Sequence, residues 1–94
     1  NALTMVDIMA DEHNILDEID LSIQAEQLRE LIATRLSRRE QELIRLRYGL
    51  AGQRPHTQKE VAAQLGISRS YVSRIEKKAI SKLKLGFRES GVSD

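Results

Sequence analysis

The sequence predicts an all-α fold: a four-helix, bundle-like domain that contains no sheet. Apolar residues recur at three- and four-residue steps, whereas no segment alternates in the manner of a strand. Two segments of the form Ser/Thr-x-x-Glu, which begin at Ser37 and Thr57, are capping boxes that mark helix starts. Each of these helices is predicted to end at a glycine, Gly49 or Gly66, which can form a left-handed C-terminal cap. The 94 residues leave room for one small domain.

The first predicted helix runs from about Leu21 to Leu36, because its apolar residues keep to one stripe. That stripe consists of Leu21, Leu28, Leu31, Ile32 and Leu36. Residues 1–19 mix apolar and acidic residues without a sustained period, so we expect a linker or a loosely ordered acidic segment there. The predicted domain therefore covers residues 20–88, and residues 89–94 are expected to fray as a tail.

The second predicted helix starts at the capping box of Ser37, in which Glu40 reaches back to the serine amide. It ends at Gly49. Its buried side is predicted to consist of Leu43, Ile44 and Leu46. Residues 50–56 hold a glycine and the single proline of the chain and have no apolar period, which predicts a loop.

The last two predicted helices form a helix-turn-helix over residues 57–85. Ser68 is the expected N-cap of the second helix, so only the turn Gly66-Ile67-Ser68 separates the pair. Ala62 is small where the helices must cross closely, and Gly66 can take the positive φ angle of a tight turn. The apolar residues predicted to face inward are Val61, Leu65, Ile67, Val72 and Ile75, followed by Ala79, Ile80 and Leu83. An αα-hairpin without a role in DNA binding is the alternative interpretation.

The net charge of +1 conceals a strong asymmetry along the chain. Residues 1–34 carry eight acids and one base, a balance of −7, and residues 35–94 carry fourteen bases and six acids, a balance of +8. Between Arg54 and Arg88 there are nine bases against Glu60 and Glu76. Such a distribution suggests a half that binds a polyanion joined to an acidic half. Ordinary solvated helix faces would explain the charge equally well.

The face of the last helix opposite its apolar stripe combines small hydroxyls with cations. At 100° per residue, that face carries Ser70, Ser73, Arg74, Lys77 and Ser81, with Arg69 at the flank of the first turn. Serines let a helix backbone approach a major groove, and arginine can donate two hydrogen bonds to guanine. We therefore predict base contacts from Arg69, Ser70, Ser73 and Arg74.

Phosphate contacts are predicted from cations near these helices and from the amides at helix starts. The candidates are Arg39, Arg47, Lys59 and Lys78, with the backbone amides at Gln58 and at the start of the last helix. Glu76 lies beside the apolar stripe, so we expect it to have a structural role, paired with Lys59 or Arg69.

The residue inventory argues against an enzyme. The chain has no cysteine, and its two histidines, His13 and His56, fall in the presumed linker and loop without metal-ligand spacing. The cluster Asp17, Glu18 and Asp20 fits an open helix start, which attracts acids. We predict no catalytic residue, metal, cofactor or small-molecule substrate. No apolar run is long enough to span a membrane, and an opening Asn1-Ala2 suggests a piece cut from a longer protein.

Three segments resemble region 4 of the sigma-70 family of transcription initiation factors. These are Arg47-Tyr48-Gly49-Leu50, Thr57-Gln58-Lys59-Glu60-Val61-Ala62, and the run from Gly66 to Ala79, which reads GISRSYVSRIEKKA. The last helix is most similar to the sporulation sigma factors of Gram-positive bacteria, of the sigma-K and sigma-E kind. The resemblance covers about residues 26–87 and implies the winged-helix-like fold of region 4.

The resemblance implies that the chain binds the −35 element of promoter DNA through the helix that starts at Arg69. It puts Arg69, Ser70 and Arg74 on base-reading positions. It puts the backbone contacts at Arg39, Arg47, Gln58, Ser68 and Lys78, to which we add their neighbours Thr57 and Lys77. Primary sigma factors have an acid and an amide in place of Ser70 and Arg74, so we expect a different preferred hexamer.

The resemblance further implies that the first two helices hold the β flap of RNA polymerase core. We predict apolar contacts there from Leu28, Leu31, Leu43 and Leu46. It also implies a cytoplasmic protein associated with the nucleoid. Two alternatives stay open: a helical protein-interaction module, which self-associates or binds an anti-sigma factor, and the output domain of another helix-turn-helix transcription regulator.

Overall fold

The computed structural model of the chain describes Met5 and residues 18–50 and 52–90, and for residues 18–23 and 90 it describes the backbone alone. Within these ranges it contains four helices and no strand. The helices are α1 (Glu18–Arg35), α2 (Arg38–Tyr48), α3 (Gln58–Leu65) and α4 (Arg69–Ser90). The predicted all-α class is confirmed. Most of the predicted linker and the end of the predicted tail lie outside the described residues, so that division of the chain stays a prediction.

Helix α1 begins at Glu18, three residues before the predicted start, and ends at Arg35. An apolar stripe shows which face of a helix is buried, but it does not show whether the helix begins before the first residue of the stripe. Acidic residues favour a first turn because the free amides there carry partial positive charge, which fits the positions of Glu18 and Asp20. Leu28, Leu31 and Ile32 of α1 are buried as predicted.

Helix α2 starts and ends as the sequence predicts. The Ser37 hydroxyl accepts from the Glu40 amide at 3.2 Å, and the Glu40 carboxylate accepts from the Ser37 amide at 2.8 Å. These two bonds satisfy amides that have no partner within the helix. Gly49 closes the helix with a left-handed φ angle of 68°, and its amide donates to the Arg45 carbonyl.

Helix α3 repeats this arrangement. Thr57 and Glu60 form the second capping box, with bonds of 2.9 and 3.1 Å. Gly66 caps the C-terminal end at a φ angle of 70°, and its amide donates to the Ala62 carbonyl. The predicted starts and ends of both short helices are therefore confirmed.

Helix α4 is five residues longer than predicted and continues past Leu85 to Ser90. Gly86 does not stop the helix but lets it approach α1: a Cβ atom at Gly86 would lie 2.7 Å from Cδ2 of Leu31. Beyond this contact the Arg35 guanidinium bonds the Glu89 carboxylate at 2.6 Å, which links the ends of α1 and α4.

The hydrophobic core lies where α4 packs against the other three helices. The side chains that are completely buried include Leu28, Leu43, Ile44, Val61, Val72 and Leu83, and Met5 is buried in the same core. Burial of each such side chain contributes about 1.5–3 kcal/mol. The core therefore fixes α4 at the centre of the domain. None of the helices in the described ranges is long and apolar enough to cross a membrane.

Candidate nucleic-acid interface

The turn between α3 and α4 brings the two helices into a helix-turn-helix. Gly66 takes the left-handed conformation, and the Ile67 amide donates to the Ala62 carbonyl at 3.0 Å. The Ser68 hydroxyl accepts from the Tyr71 amide at 3.1 Å and so caps the start of α4. Ala62 and Val72 are buried where the helices meet. These local bonds hold the first turn of α4 at the domain surface.

The surface of α4 near this turn is cationic and free of exposed acids. The exposed polar and charged side chains are Arg69, Ser70, Arg74, Lys77, Lys78 and Ser81, and Ser73 is half-buried. Within the described residues, Arg69, Arg74, Lys77 and Lys78 form no ion pair. Glu76 is the one acid in the sequence between Arg69 and Arg88, and it is buried. The positive charge of this face is therefore left for a partner to neutralise.

Glu76 joins three helices through its carboxylate. Its Oε2 accepts from the Tyr48 hydroxyl of α2 at 2.7 Å. Its Oε1 accepts from Arg47 Nε of α2 at 3.3 Å and from Gln58 Nε2 of α3 at 3.0 Å. Because a buried carboxylate is costly unless it is paired and hydrogen-bonded, this set of partners explains how Glu76 is tolerated beside the core. The predicted structural role of Glu76 agrees with this geometry.

The predicted partners of Glu76, Lys59 and Arg69, are wrong. Both side chains are exposed, whereas the Glu76 carboxylate turns inward toward α2. Arg47 is the cation that reaches it, and Arg47 also donates to the His56 carbonyl at 3.1 Å and lies 5.7 Å from the centre of the Tyr48 ring. Burial and the bond to Glu76 raise the pKa of Tyr48 well above its usual value. Tyr48 therefore keeps its proton and donates a hydrogen bond to the carboxylate.

The residues predicted to contact the DNA backbone fall into two groups. Arg39, Lys59, Lys77 and Lys78 are exposed cations, and Thr57 and Ser68 are exposed N-caps. The hydroxyls of both N-caps accept from backbone amides, so each can still donate its proton to a phosphate. Arg47 and Gln58, by contrast, are half-buried and already bound to Glu76. Their bonds to Glu76 therefore hold these two side chains in place at the edge of the surface.

A groove of about 460 Å³ runs between the start of α3 and the outer face of α4. It is lined by Gln58, Ser73, Glu76, Lys77, Ile80 and Ser81. Three of these residues, Gln58, Ser73 and Lys77, are predicted DNA contacts, and the structure brings them together although they come from two helices.

The four leucines predicted to hold the β flap lie in the core. Leu28 and Leu43 are completely buried, and Leu31 and Leu46 are exposed by only 7%. Their apolar area is already covered by the other helices of the domain, so the assignment of these side chains as surface contacts is not supported. The apolar period that suggested them marks the inner face of each helix.

Two features of this region were missed at the sequence level. Tyr71 is exposed on the first turns of α4, and the Arg74 guanidinium lies 5.8 Å from the centre of its ring. The three-residue spacing of Tyr71 and Arg74 is a signal that could have found this pair. The carboxylate of Glu76 also organises Arg47 and Gln58, which only the packing of α2, α3 and α4 reveals. No group of three or more potential metal ligands occurs among the described residues.

The fold and this surface define the class of the protein, a helix-turn-helix domain whose second helix has an exposed cationic face. The family Sigma-70, region 4 matches residues 34–85, which is more than half of the chain, and the chain belongs to that family. The match includes α2, α3 and most of α4.

Several curated relatives are similar to the chain. The RNA polymerase sigma-28 factor of Bacillus thuringiensis subsp. kurstaki is 45% identical over 84 residues, which are 88% of this chain and 35% of the relative. The RNA polymerase sigma-K factor of Bacillus subtilis is 42% identical over 84 residues, which are 88% of this chain and 28% of the relative. The RNA polymerase sigma-E factor of Clostridium acetobutylicum is 40% identical over 84 residues, 89% of this chain and 36% of the relative. The chain thus spans about a third of the length of these relatives.

Proposed function

We propose that the chain is the promoter-recognition module of an alternative sigma factor, acting in transcription initiation. The observation that carries the proposal is the exposed face near the start of α4, the second helix of the helix-turn-helix, where Arg69, Arg74, Lys77 and Lys78 form no ion pair within the described residues. Membership of the region 4 family and similarity to three sigma factors support it.

The base contacts in this proposal come from the start of α4. Arg69, Ser70 and Arg74 are exposed there, and Ser73 lines the groove beside them. The small serines allow the helix to enter the major groove of the −35 element. Each arginine that donates two hydrogen bonds to a guanine adds about 1–3 kcal/mol of discrimination.

The backbone contacts hold α4 in register but carry no sequence information. Lys59, Lys77, Lys78 and Arg39 supply charge, and Thr57 and Ser68 supply hydroxyl donors. Gln58 has a second N–H on the same Nε2 atom, so it can donate to a phosphate while it stays bound to Glu76. Arg47 takes part in the same network and supports Gln58 through Glu76.

RNA polymerase core is the second partner in the proposal, held through the β flap. Because the four predicted leucines are buried, the contact would use the exposed edges of α1 and α2. An anti-sigma factor that covers one of these surfaces would act as an inhibitor. Promoter DNA as the target implies a place in the cytoplasm, at the nucleoid.

Selection from random duplexes tests the proposal. The chain, with and without RNA polymerase core, is incubated with the duplex pool, and the bound sequences are determined over several rounds. A single enriched hexamer is expected, and its occupancy should rise when core is present. Enrichment of no sequence under either condition would overturn the proposal.

A pair of substitutions separates base reading from backbone binding. Arg69→Ala is expected to weaken binding and to lower discrimination at one base pair, because it removes a donor to a base edge. Lys78→Ala is expected to weaken all sequences alike and to reduce the salt slope by about one unit. Lys84→Ala removes an exposed cation farther along the same helix and is the charge-matched control. Unchanged discrimination in Arg69→Ala would refute its role.

The salt dependence of binding distinguishes DNA recognition from the alternative of a protein-interaction module. With about five phosphate contacts, the logarithm of the association constant should fall against the logarithm of salt concentration with a slope near −4.5. An apolar protein interface would respond little to salt. A flat response for the selected duplex would favour the interaction module.

A further inference from the structure

Tyr71 is one of two large apolar side chains that stay exposed in the described part of the chain. It is 45% exposed and lies in the first turn of α4, between the predicted base-reading residues Ser70 and Ser73. The other exposed residue, Leu85, lies near the far end of the same helix. Tyr71 is not among the residues that form the hydrophobic core or pack against it.

The ring of Tyr71 lies close to the guanidinium of Arg74. The guanidinium carbon of Arg74 lies 5.8 Å from the ring centre, within the range of about 6 Å over which a cation is attracted to an aromatic face. Tyr71 and Arg74 are three residues apart, so they lie side by side on the helix.

The other helical neighbours of Arg74 offer no acid. Ser70, Lys77 and Lys78 occupy the positions three or four residues away, and in the described part of the chain Arg74 has no carboxylate partner. Two of these neighbours carry positive charge and repel the guanidinium. The Tyr71 ring is therefore the favourable side-chain contact that selects among the conformations of Arg74.

We propose that Tyr71 is a positioning residue for base recognition by Arg74. The inference rests on the proposed function and deepens it. An arginine side chain loses rotamer freedom when it donates to a base, and a stacked guanidinium has already lost part of that freedom. The ring thus lowers the cost of forming the two parallel donors. The effect depends on the aromatic face and not on the tyrosine hydroxyl.

The test compares Tyr71→Leu with Tyr71→Phe on the selected duplex and on duplexes substituted at one base pair at a time. Arg74→Ala first identifies the base pair that Arg74 reads. Tyr71→Leu is expected to lower discrimination at that base pair about two- to fivefold, the range of an exposed cation–π contact. Discrimination at other base pairs and the salt slope should stay unchanged. Tyr71→Phe keeps the ring and should retain the discrimination of the original chain.

The double variant decides whether Tyr71 acts through Arg74. In the Arg74→Ala background, Tyr71→Leu should cause no further loss at the same base pair. An equal loss in both backgrounds would overturn the inference, because the ring would then contact DNA itself. A loss spread evenly over all base pairs, or a Tyr71→Phe variant that behaves like Tyr71→Leu, would overturn it as well.

A measurement on the free chain separates this inference from the proposed function. Ring current should shift the NMR signal of the Arg74 Nε–H group in the original chain and in Tyr71→Phe, and the shift should disappear in Tyr71→Leu. An unchanged signal in Tyr71→Leu would overturn the stacking itself. If the original chain selects no sequence, the proposed function fails and base positioning fails with it. If the original chain selects a sequence and Tyr71→Leu discriminates equally well, only the present inference fails.

Discussion

Helices α2 and α3 begin with the same kind of capping box and end at glycines with φ angles of 68° and 70°. Their surroundings differ. Glu40 of the first box is buried and also bonds Lys82 of α4 at 2.8 Å, whereas Glu60 of the second box pairs with the exposed Arg54. The comparison teaches that one local pattern sets the ends of both helices, while, among the described residues, only the capping box of α2 is also joined to a distant helix by an ion pair.

The two glycines differ in the same way. A Cβ atom at Gly49 would lie 2.8 Å from the Gln53 carbonyl oxygen and from the ring of Pro55, whereas a Cβ atom at Gly66 would meet no atom within 4 Å. Gly49 is thus required both by its left-handed backbone and by the loop that packs against it. Gly66 is required by its backbone alone.

Gly49→Ala should have the largest effect on stability. The alanine must adopt a strained left-handed backbone conformation. It also displaces the loop, because the backbone atoms of Gln53 and Pro55 cannot turn away as a flexible side chain can. We expect the free energy of unfolding to fall by about 3 kcal/mol, measured by urea denaturation followed by circular dichroism. Gly52→Ala is the control, since Gly52 has a φ angle of 79° and open space around it. Equal losses in the two variants would contradict the role of the loop contact.

Glu40→Ala should have the next largest effect, about 2 kcal/mol at neutral pH, because it removes a cap and a charge-assisted bond. Glu60→Ala is the matched variant and should lose less, since its carboxylate is more exposed and its partner Arg54 is solvated. Thermal unfolding of both variants measures the difference. A greater loss in Glu60→Ala would mean that Lys82 adds nothing to the first box.

The bonds of Glu40 predict that its contribution to stability depends on pH. Burial raises the pKa of Glu40, but the bonds from Lys82 and from the Ser37 amide outweigh it, so the pKa lies below its ordinary value of 4.5. A lowered folded-state pKa means that the contribution is fully present above the unfolded-state pKa and is lost as pH falls through the folded-state pKa. The stability difference between the original chain and Glu40→Ala should therefore shrink below about pH 4.5. Urea denaturation at a series of acidic pH values measures it, and a constant difference would contradict the bond.

Gly66→Ala should lower the free energy of unfolding less than Gly49→Ala and Glu40→Ala do, by about 1 kcal/mol, because only the left-handed backbone opposes the new side chain. The start of α4 should shift slightly, since Gly66 sets the turn before it. Urea denaturation and the affinity for the selected duplex measure the two consequences. A loss as large as that of Gly49→Ala would show that the turn is more tightly packed than its open surroundings suggest.

The parts of the fold that the sequence predicts are those that depend on contacts within a few residues. Both capping boxes and both glycine caps have this property, and the structure confirms them. The inward stripe of α4 follows in the same way from its period, since Val72, Ala79 and Leu83 are buried.

Features that depend on distant contacts could not be predicted in this way. The last helix is predicted to end at about Leu85, but Gly86 lies opposite Leu31 and is a packing residue within α4. Glu76 is predicted to pair with Lys59 or Arg69, whereas Arg47 reaches it from α2. In both cases the deciding atom lies on another helix.

The candidate site follows the same division. The exposure of Arg69, Ser70 and Arg74 follows from the helical period, and the structure agrees with it. Their contacts with bases stay predictions. The four leucines assigned to the polymerase contact belong to the core, because an apolar period marks an inner face whether or not a partner exists.

Helix α4 has its exposed cationic face near one end and its contact with the end of α1 near the other. Its 22 residues make it about 33 Å long, with Arg69 at one end and the Arg35–Glu89 ion pair at the other. Gly86 packs on α1 near the far end, and this contact fixes the tilt of α4 together with the packing of α4 on α2 and α3. If α4 reads promoter DNA as proposed, a looser contact between α4 and α1 would tilt the Arg69 end away from the bases and weaken binding to every promoter to a similar degree.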